Sequence, residues 1–263
     1  MTPPHIILHP GFHKTGTSST QAYLSKWQSK IPNLGVYISK DFKPLNDRAW
    51  IYGVRPYLPQ RLRVRSALPA ALRQMPHHDT IVISCENLTG VPPGFIRTSK
   101  TRVTSYAEAG TPLLRDMIAA LRQRFEGCKI TLTFSLRGRD AWLASNYAQQ
   151  LSSRRLTEEF DAFSDRFDPA FTLEQEAQRL IDALTPDAAQ THRLEDSATS
   201  AQGPATPILR LIGLTEAEIS ALPKATRRNR RRSPELQAAL LNANRTIKGR
   251  RALAAARRSI LAR

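Results

Sequence analysis

Ile6-Ile7-Leu8-His9-Pro10-Gly11-Phe12-His13-Lys14-Thr15-Gly16-Thr17-Ser18-Ser19 is the stretch on which the rest of the chain depends. A short β-favouring run leads into Gly11. Gly16 follows, and then a helix-like run through Thr20, Gln21, Ala22, Tyr23 and Leu24. This pattern predicts a strand, a tight loop and a helix N-terminus. Backbone N–H groups in such a loop point inward, the helix end adds partial positive charge, and glycine lets the backbone come close. Lys14 adds a full charge, and Thr15, Thr17 and Ser18 add hydroxyl donors. A phosphate-like anion is the expected occupant. The bland alternative is an ordinary glycine-containing turn between a strand and a helix.

Spacing refines the expectation. A Walker A loop places lysine directly after its second glycine. Here Gly11 and Gly16 have the right separation, but Thr17 stands in the lysine's place and the lysine lies upstream at Lys14. The His13-Lys14-Thr15-Gly16-Thr17-Ser18-Ser19 arrangement resembles the 5′-phosphosulfate loop of sulfotransferases that use 3′-phosphoadenosine 5′-phosphosulfate (PAPS). The resemblance implies an α/β three-layer sandwich with a central parallel sheet, the P-loop NTPase-like sulfotransferase fold. It also implies PAPS as sulfuryl donor, with no metal required. Gly11, Phe12, His13, Lys14, Thr15, Gly16, Thr17 and Ser18 would then hold the 5′-phosphosulfate, and Lys14 would offset charge on the departing bridging oxygen.

Further along, residues 17–30 read as the first helix and Leu34 to Ile38 as a second strand. Residues 41–60, rich in Pro, Asn and Asp, read as loop. Residues 61–75 read as an amphipathic helix broken by Pro69. Asp79 to Glu86 is a short apolar run ending in polar residues, as a buried parallel strand should be. Residues 89–110 carry Gly and Pro without periodicity and read as a mobile loop or lid. A helix over 112–125 and a strand over 130–136 follow, then helices over 139–154 and 173–184. A short strand is expected near His192 to Leu194. Short helices follow over 207–214 and 216–222, and a basic helix or helical pair over 234–261. Alternating strands and helices argue a parallel sheet, in which ligands bind beyond the carboxyl ends of the strands. The loop, Glu86 and Arg137 all fall at such ends.

Arg137 closes the 130–136 strand, and Ser145 lies eight positions on, so a guanidinium and a hydroxyl could grip one phosphate. That spacing is similar to the sulfotransferase 3′-phosphate motif, which implies that Arg137 and Ser145 bind the PAPS 3′-phosphate. Gly138-Arg139 stands where the family often has Asn-Pro or Asp-Pro, and Trp142 where a further arginine is common. Ser84-Cys85-Glu86-Asn87-Leu88 is similar to Ser-x-Glu-Asn-Leu segments in bacterial members. Glu86 is a candidate general base if burial raises its pKa; Asp41 is its rival. Either could equally be structural. His9 and His13 flank the loop and are expected to shape it.

With 263 residues and 41% hydrophobic content, the chain can bury a substantial core. No apolar run approaches a membrane span, and the N-terminus lacks a signal-peptide pattern, so a cytoplasmic protein is expected. Cys85 and Cys128 read as reduced core residues, and no Cys/His cluster has zinc spacing. Net charge is +17, from 39 Lys+Arg against 22 Asp+Glu. Much of the excess lies in the tail, in 227–232 and in Lys248, Arg250, Arg251, Arg257, Arg258 and Arg263. The expected organisation is an α/β domain over 1–222 and a basic helical C-terminal extension over 223–263. The expected reaction moves a sulfuryl group to an acceptor hydroxyl or amine. The acceptor's identity stays open, with an anionic compound or a saccharide among the candidates. Two alternatives stand: a P-loop kinase or NTPase, with Glu86 near Mg²⁺, and a polyanion- or nucleic-acid-binding protein with a vestigial loop. The tail lacks the interleaved aromatics that stack on bases, which argues against nucleic acid.

Overall fold

Short apolar runs alternate with amphipathic ones along the chain, and the backbone follows them. The computed structural model describes residues 2–197, 199–226 and 233–262. In chain order the elements are β1 (His5–His9), α1 (Thr17–Trp27), β2 (Leu34–Ile38), α2 (Lys43–Val54), α3 (Leu58–Arg73), β3 (Thr80–Ser84), α4 (Ala107–Arg124), β4 (Lys129–Leu136), α5 (Arg139–Ser153), α6 (Phe160–Ser164), α7 (Leu173–Leu184), β5 (Ala188–Arg193), α8 (Thr206–Leu211), α9 (Glu216–Ala221), α10 (Pro234–Thr246) and α11 (Arg250–Leu261). They group into two compact units. The first comprises Met1–Arg137 with Thr172–Thr226, the second Gly138–Phe171 with Arg227–Arg263. Residues 138–171, expected inside the α/β domain, therefore group with the C-terminal helices.

The first unit is an α/β sandwich around a parallel sheet of order β2-β3-β1-β4-β5. β1 is central and its apolar residues are fully buried, as a strand covered on both faces requires. Ile7, Val36, Ile38 and Val82 share a cluster with Tyr23 and Leu24 of α1, Ile208 and Leu209 of α8, and Ile219 of α9. By strand alternation Ile6 and Leu8 point the other way. α7 packs on β4, α4 on α7, α3 on α4 and α2 on α3.

Three expectations fail here. Residues 41–60 are not loop: α2 starts with Pro44 in its first turn and buries Leu45, Ala49, Tyr52 and Gly53 at helical spacing. Pro69 does not break α3, which runs on to Arg73 with Val64, Ala67, Leu68 and Leu72 buried. That packing offsets the roughly 3 kcal/mol that an interior proline costs. Residues 89–110 form no open lid. The Gly94 N–H donates to the Val103 carbonyl and the Val103 N–H to the Phe95 carbonyl, both at 2.9 Å. Val91, Phe95 and Val103 make a small core against Trp50 and Val54. Cys85 and Cys128 are free and buried. Among the described residues, no helix is long and apolar enough to cross a membrane.

The second unit is helical. Trp142, fully buried on α5, meets Phe167 edge-on at 5.7 Å and Phe171 at 5.3 Å. Tyr147 packs on Phe160 and Phe163. Asn244 of α10 is buried among backbone carbonyls. Its amide donates to those of Leu151 (3.1 Å), Arg154 (3.3 Å) and Leu156 (2.9 Å), and its Oδ1 accepts from Arg257. The expected basic extension is thus a pair, α10 and α11, joined through Ile247 to Gly249. The arginine-rich run 227–232 and Arg263 lie outside the described residues.

Candidate active site at the β1–α1 loop

The expected strand, loop and helix are all present, and glycine explains the loop's shape. Gly11 and Gly16 have φ of 64° and 89°. A Cβ on Gly11 would lie 2.8 Å from Thr17 Oγ1, and one on Gly16 would lie 2.7 Å from Leu194 Cδ1. The positive φ is what calls for glycine at both positions, and the close side chains add to it. Lys14 also has positive φ, 70°, which strains a side-chain-bearing residue by roughly 1 kcal/mol. The Arg137 guanidinium donates to the Lys14 carbonyl at 3.1 Å and helps hold that conformation. Arg137 thus reaches from the end of β4 into the loop after the neighbouring strand β1.

Other loop hydroxyls turn inward. Thr15 Oγ1 donates to the Phe12 carbonyl at 2.7 Å, and Thr17 Oγ1 does so at 3.3 Å. Both threonines are buried, so they build the loop rather than face a ligand. Ser18 is exposed. α1 opens with the Ser19 and Thr20 N–H groups on the Gly16 carbonyl. Among the described residues no hydrogen bond uses the Thr17 or Ser18 N–H, the usual orphan donors of a helix start.

Phe12 is buried between Tyr106 and Phe134, at 4.5 and 5.0 Å. The Tyr106 hydroxyl accepts from the His13 N–H at 3.1 Å, and its ring stacks on the His13 imidazole. Burial lowers the His13 pKa; the Glu86 charge and a hydrogen bond to Asn87 oppose this, and Lys14 adds to it. Glu86 therefore acts electrostatically at the loop. It opens a 3₁₀ turn, Glu86–Thr89, beyond β3. Thr89 Oγ1 sits 2.7 Å from the Glu86 carbonyl and 3.3 Å from that of Gly11, tying turn to loop.

Asp41 is placed differently. It is exposed, and its carboxylate accepts from the Ile38 N–H at 2.9 Å while its own N–H donates to the Ile38 carbonyl. It closes the turn after β2. Ser145 lies partly buried on α5, in the second unit.

Beneath the loop runs a polar chain that the sequence reading missed. His9 is fully buried, with Nδ1 3.0 Å from Ser84 Oγ and Nε2 2.9 Å from Ser135 Oγ. Ser135 Oγ lies 2.8 Å from His192 Nε2, and Gln21 donates to the Ser84 carbonyl at 3.1 Å. The chain crosses β3, β1, β4 and β5 at their carboxyl ends. Burial lowers the His9 pKa to about 3, with His192 adding to the effect, and burial lowers that of His192 to about 4. Both rings are neutral at neutral pH. Tyr106, Ser135 and His192 carry no motif; only the strand order brings them together.

No protein-family model matches the chain, and no curated protein does. Among solved structures it is similar to a chain from the PezAT chromosomal toxin-antitoxin system of the human pathogen Streptococcus pneumoniae. Identity is 10% and the TM-score 0.38, over 92% of this chain and 87% of that one. A likeness of that size carries no functional weight.

Proposed function

We propose that the protein transfers a sulfuryl group from PAPS to an acceptor hydroxyl or amine, leaving adenosine 3′,5′-bisphosphate. The observation that carries this reading is the setting of Lys14. It stands in mid-loop at positive φ, with its carbonyl held by Arg137 from the adjacent strand end. A lysine there serves a 5′-phosphate side rather than the γ-phosphate that a lysine after Gly16 would reach.

The residues fit a nucleotide with two anionic ends. Orphan helix N–H groups, the exposed Ser18 hydroxyl and Lys14 suit the 5′ end; the Arg137 guanidinium suits the 3′ end. The resemblance pairs Ser145 with Arg137, and Ser145→Ala measures that pairing directly. PAPS, when bound, supplies an activated sulfuryl group. Lys14 offsets negative charge on the 5′ side, where it is worth most as charge develops. Glu86 is the better base, because it acts at the loop while the Asp41 carboxylate is committed to its own turn.

A kinase or NTPase reading has one observation of its own: Glu86 follows β3, which pairs with β1. A thermal-shift comparison separates the two. Adenosine 3′,5′-bisphosphate should stabilise the protein more than AMP or ATP, with or without Mg²⁺. A larger shift from ATP with Mg²⁺ favours the kinase reading, and equal shifts from AMP and the bisphosphate remove the 3′ site.

A further inference from the structure

Six large hydrophobic side chains are strongly exposed among the described residues, and five belong to one region of the first unit. Leu58 is 66% exposed, Tyr57 53%, Leu62 and Ile96 49% each, and Ile51 43%. Ile51 lies on the last part of α2; Tyr57 and Leu58 open α3; Leu62 is one turn further on the same face. Ile96 is brought alongside by two hydrogen bonds, Arg55 Nε to Thr98 Oγ1 and Arg97 Nε to the Gly53 carbonyl, both 3.3 Å.

The same region carries charge of a single sign. Residues 48–78 and 87–107 contain Arg48, Arg55, Arg61, Arg63, Arg65 and Arg73, then Arg97, Lys100 and Arg102, and no Asp or Glu. Acids reach them from α4: Asp116 pairs with Arg61 at 2.9 Å and with Arg65 at 3.8 Å, and Glu108 pairs with Arg97. Among the described residues, Arg48, Arg55, Arg63, Lys100 and Arg102 form no ion pair, and all five are exposed.

From this juxtaposition we infer that the face formed by the end of α2, the start of α3 and the Ile96 hairpin docks on an anionic lipid surface. Charge complementarity and the apolar residues together select that partner. A nucleic acid or acidic polysaccharide would meet the cations but leave Ile51, Leu58, Leu62 and Ile96 in water. A protein interface gathers its apolar residues into a core inside a polar rim. Here leucines and arginines are interleaved along the helix face, the pattern that lays aliphatic side chains into the acyl boundary with cations at the headgroups. Tyr57 suits the interfacial level. The inference does not depend on the proposed sulfuryl transfer.

The test is flotation of the full chain with vesicles of phosphatidylcholine alone and with added phosphatidylglycerol. Binding is expected only to the anionic vesicles. The double variant L58S/L62S should partition on the order of tenfold more weakly, and R63E/R102E similarly. Leu58→Trp, and Leu62→Trp as a second reporter, should emit at shorter wavelength on anionic vesicles and be quenched by brominated acyl chains. These side chains are exposed, so the thermal midpoint of each variant should match the parent and serve as the folding control. Undiminished vesicle binding by L58S/L62S would overturn the inference, since the arginine-rich run 227–232 would then suffice. So would a tryptophan reporter that stays in water at both positions. A dimer that L58S/L62S dissolves without vesicles would assign the face to a second copy, and equal loss on heparin beads would assign it to an acidic polymer.

Discussion

Arg137 and Arg257 make the same bond in the two units and serve different ends. Arg137 donates to the carbonyl of Lys14, a strained loop residue at the carboxyl edge of a sheet. Arg257 donates to the Arg154 carbonyl beyond α5 and to Asn244 Oδ1. Arg155 likewise reaches the Lys248 carbonyl at 2.8 Å, and Arg245 that of Thr157 at 2.8 Å. In the second unit arginine satisfies carbonyls at helix ends and in the connection after α5. In the first, arginine shapes a site. Positive charge counted along the sequence mixes these uses, so the basic tail is partly internal structure rather than a surface for polyanions.

If the second unit is built on carbonyl satisfaction, its most sensitive point is Asn244. Asn244→Ala removes the amide donor of the Leu151 and Leu156 carbonyls, while the Arg154 carbonyl keeps Arg257 and the Leu156 N–H; each lost bond is worth on the order of 1 kcal/mol. Chemical denaturation should show a loss of about 2–3 kcal/mol. A loss under about 1 kcal/mol would mean that the arginines, not Asn244, hold these ends.

The first unit should behave oppositely at Lys14, where function and stability part. Lys14→Ala should lower turnover of PAPS by on the order of 10²-fold, the scale of one preorganised electrostatic group. Lys14→Gly should be as inactive yet more stable by roughly 0.5–1 kcal/mol, because glycine accepts the positive φ without strain. A destabilised Lys14→Gly would remove the strain from the comparison.

The polar chain under the loop adds a pH signature. The folded-state pKa values of His9 and His192 lie at about 3 and about 4, below the ordinary 6.5. The unfolded chain therefore binds more protons between those values, and stability falls as pH drops. The contribution is complete above pH 6.5. It is lost at up to about 1.4 kcal/mol per pH unit for each ring down to pH 4, and below that for His9 alone. Denaturation midpoints from pH 7 to 4 should follow this trend, and His9→Gln should flatten it. A flat profile in the parent would mean that the rings are already charged in the fold.

The smallest effect is expected at Asp41. Its carboxylate closes an exposed turn, so Asp41→Asn should cost under about 1 kcal/mol and leave turnover within about twofold. A tenfold loss of turnover in Asp41→Asn, with Glu86→Gln active, would reverse the assignment of the base.

Legibility followed the range of the forces. β1, the loop and α1 were readable because glycine torsions, a helix start and an apolar run are local properties. α2 was misread as loop from its Pro, Asn and Asp content, although Pro44 and the spacing of Leu45, Ala49 and Tyr52 are local helix signals. The 89–110 segment was not, because Val91, Phe95 and Val103 are buried by Trp50 and Val54 rather than by any period of their own.

The sequence by itself determined a parallel α/β unit with a glycine-bounded loop at the end of its first strand, and put Glu86 and Arg137 at other strand ends. Those features follow from periodicity of 2 and 3.6 and from the torsional freedom of glycine. Only the tertiary structure decided that β3 and β4 flank β1, so that Glu86 acts on His13 and Arg137 grips the Lys14 carbonyl. Only it decided that His9, Ser135 and His192 form one buried chain, and that residues 138–171 group with α10 and α11. The hydrogen bonds among these contacts join residues 57 to 126 positions apart, and a buried polar group takes whichever partner the packing supplies.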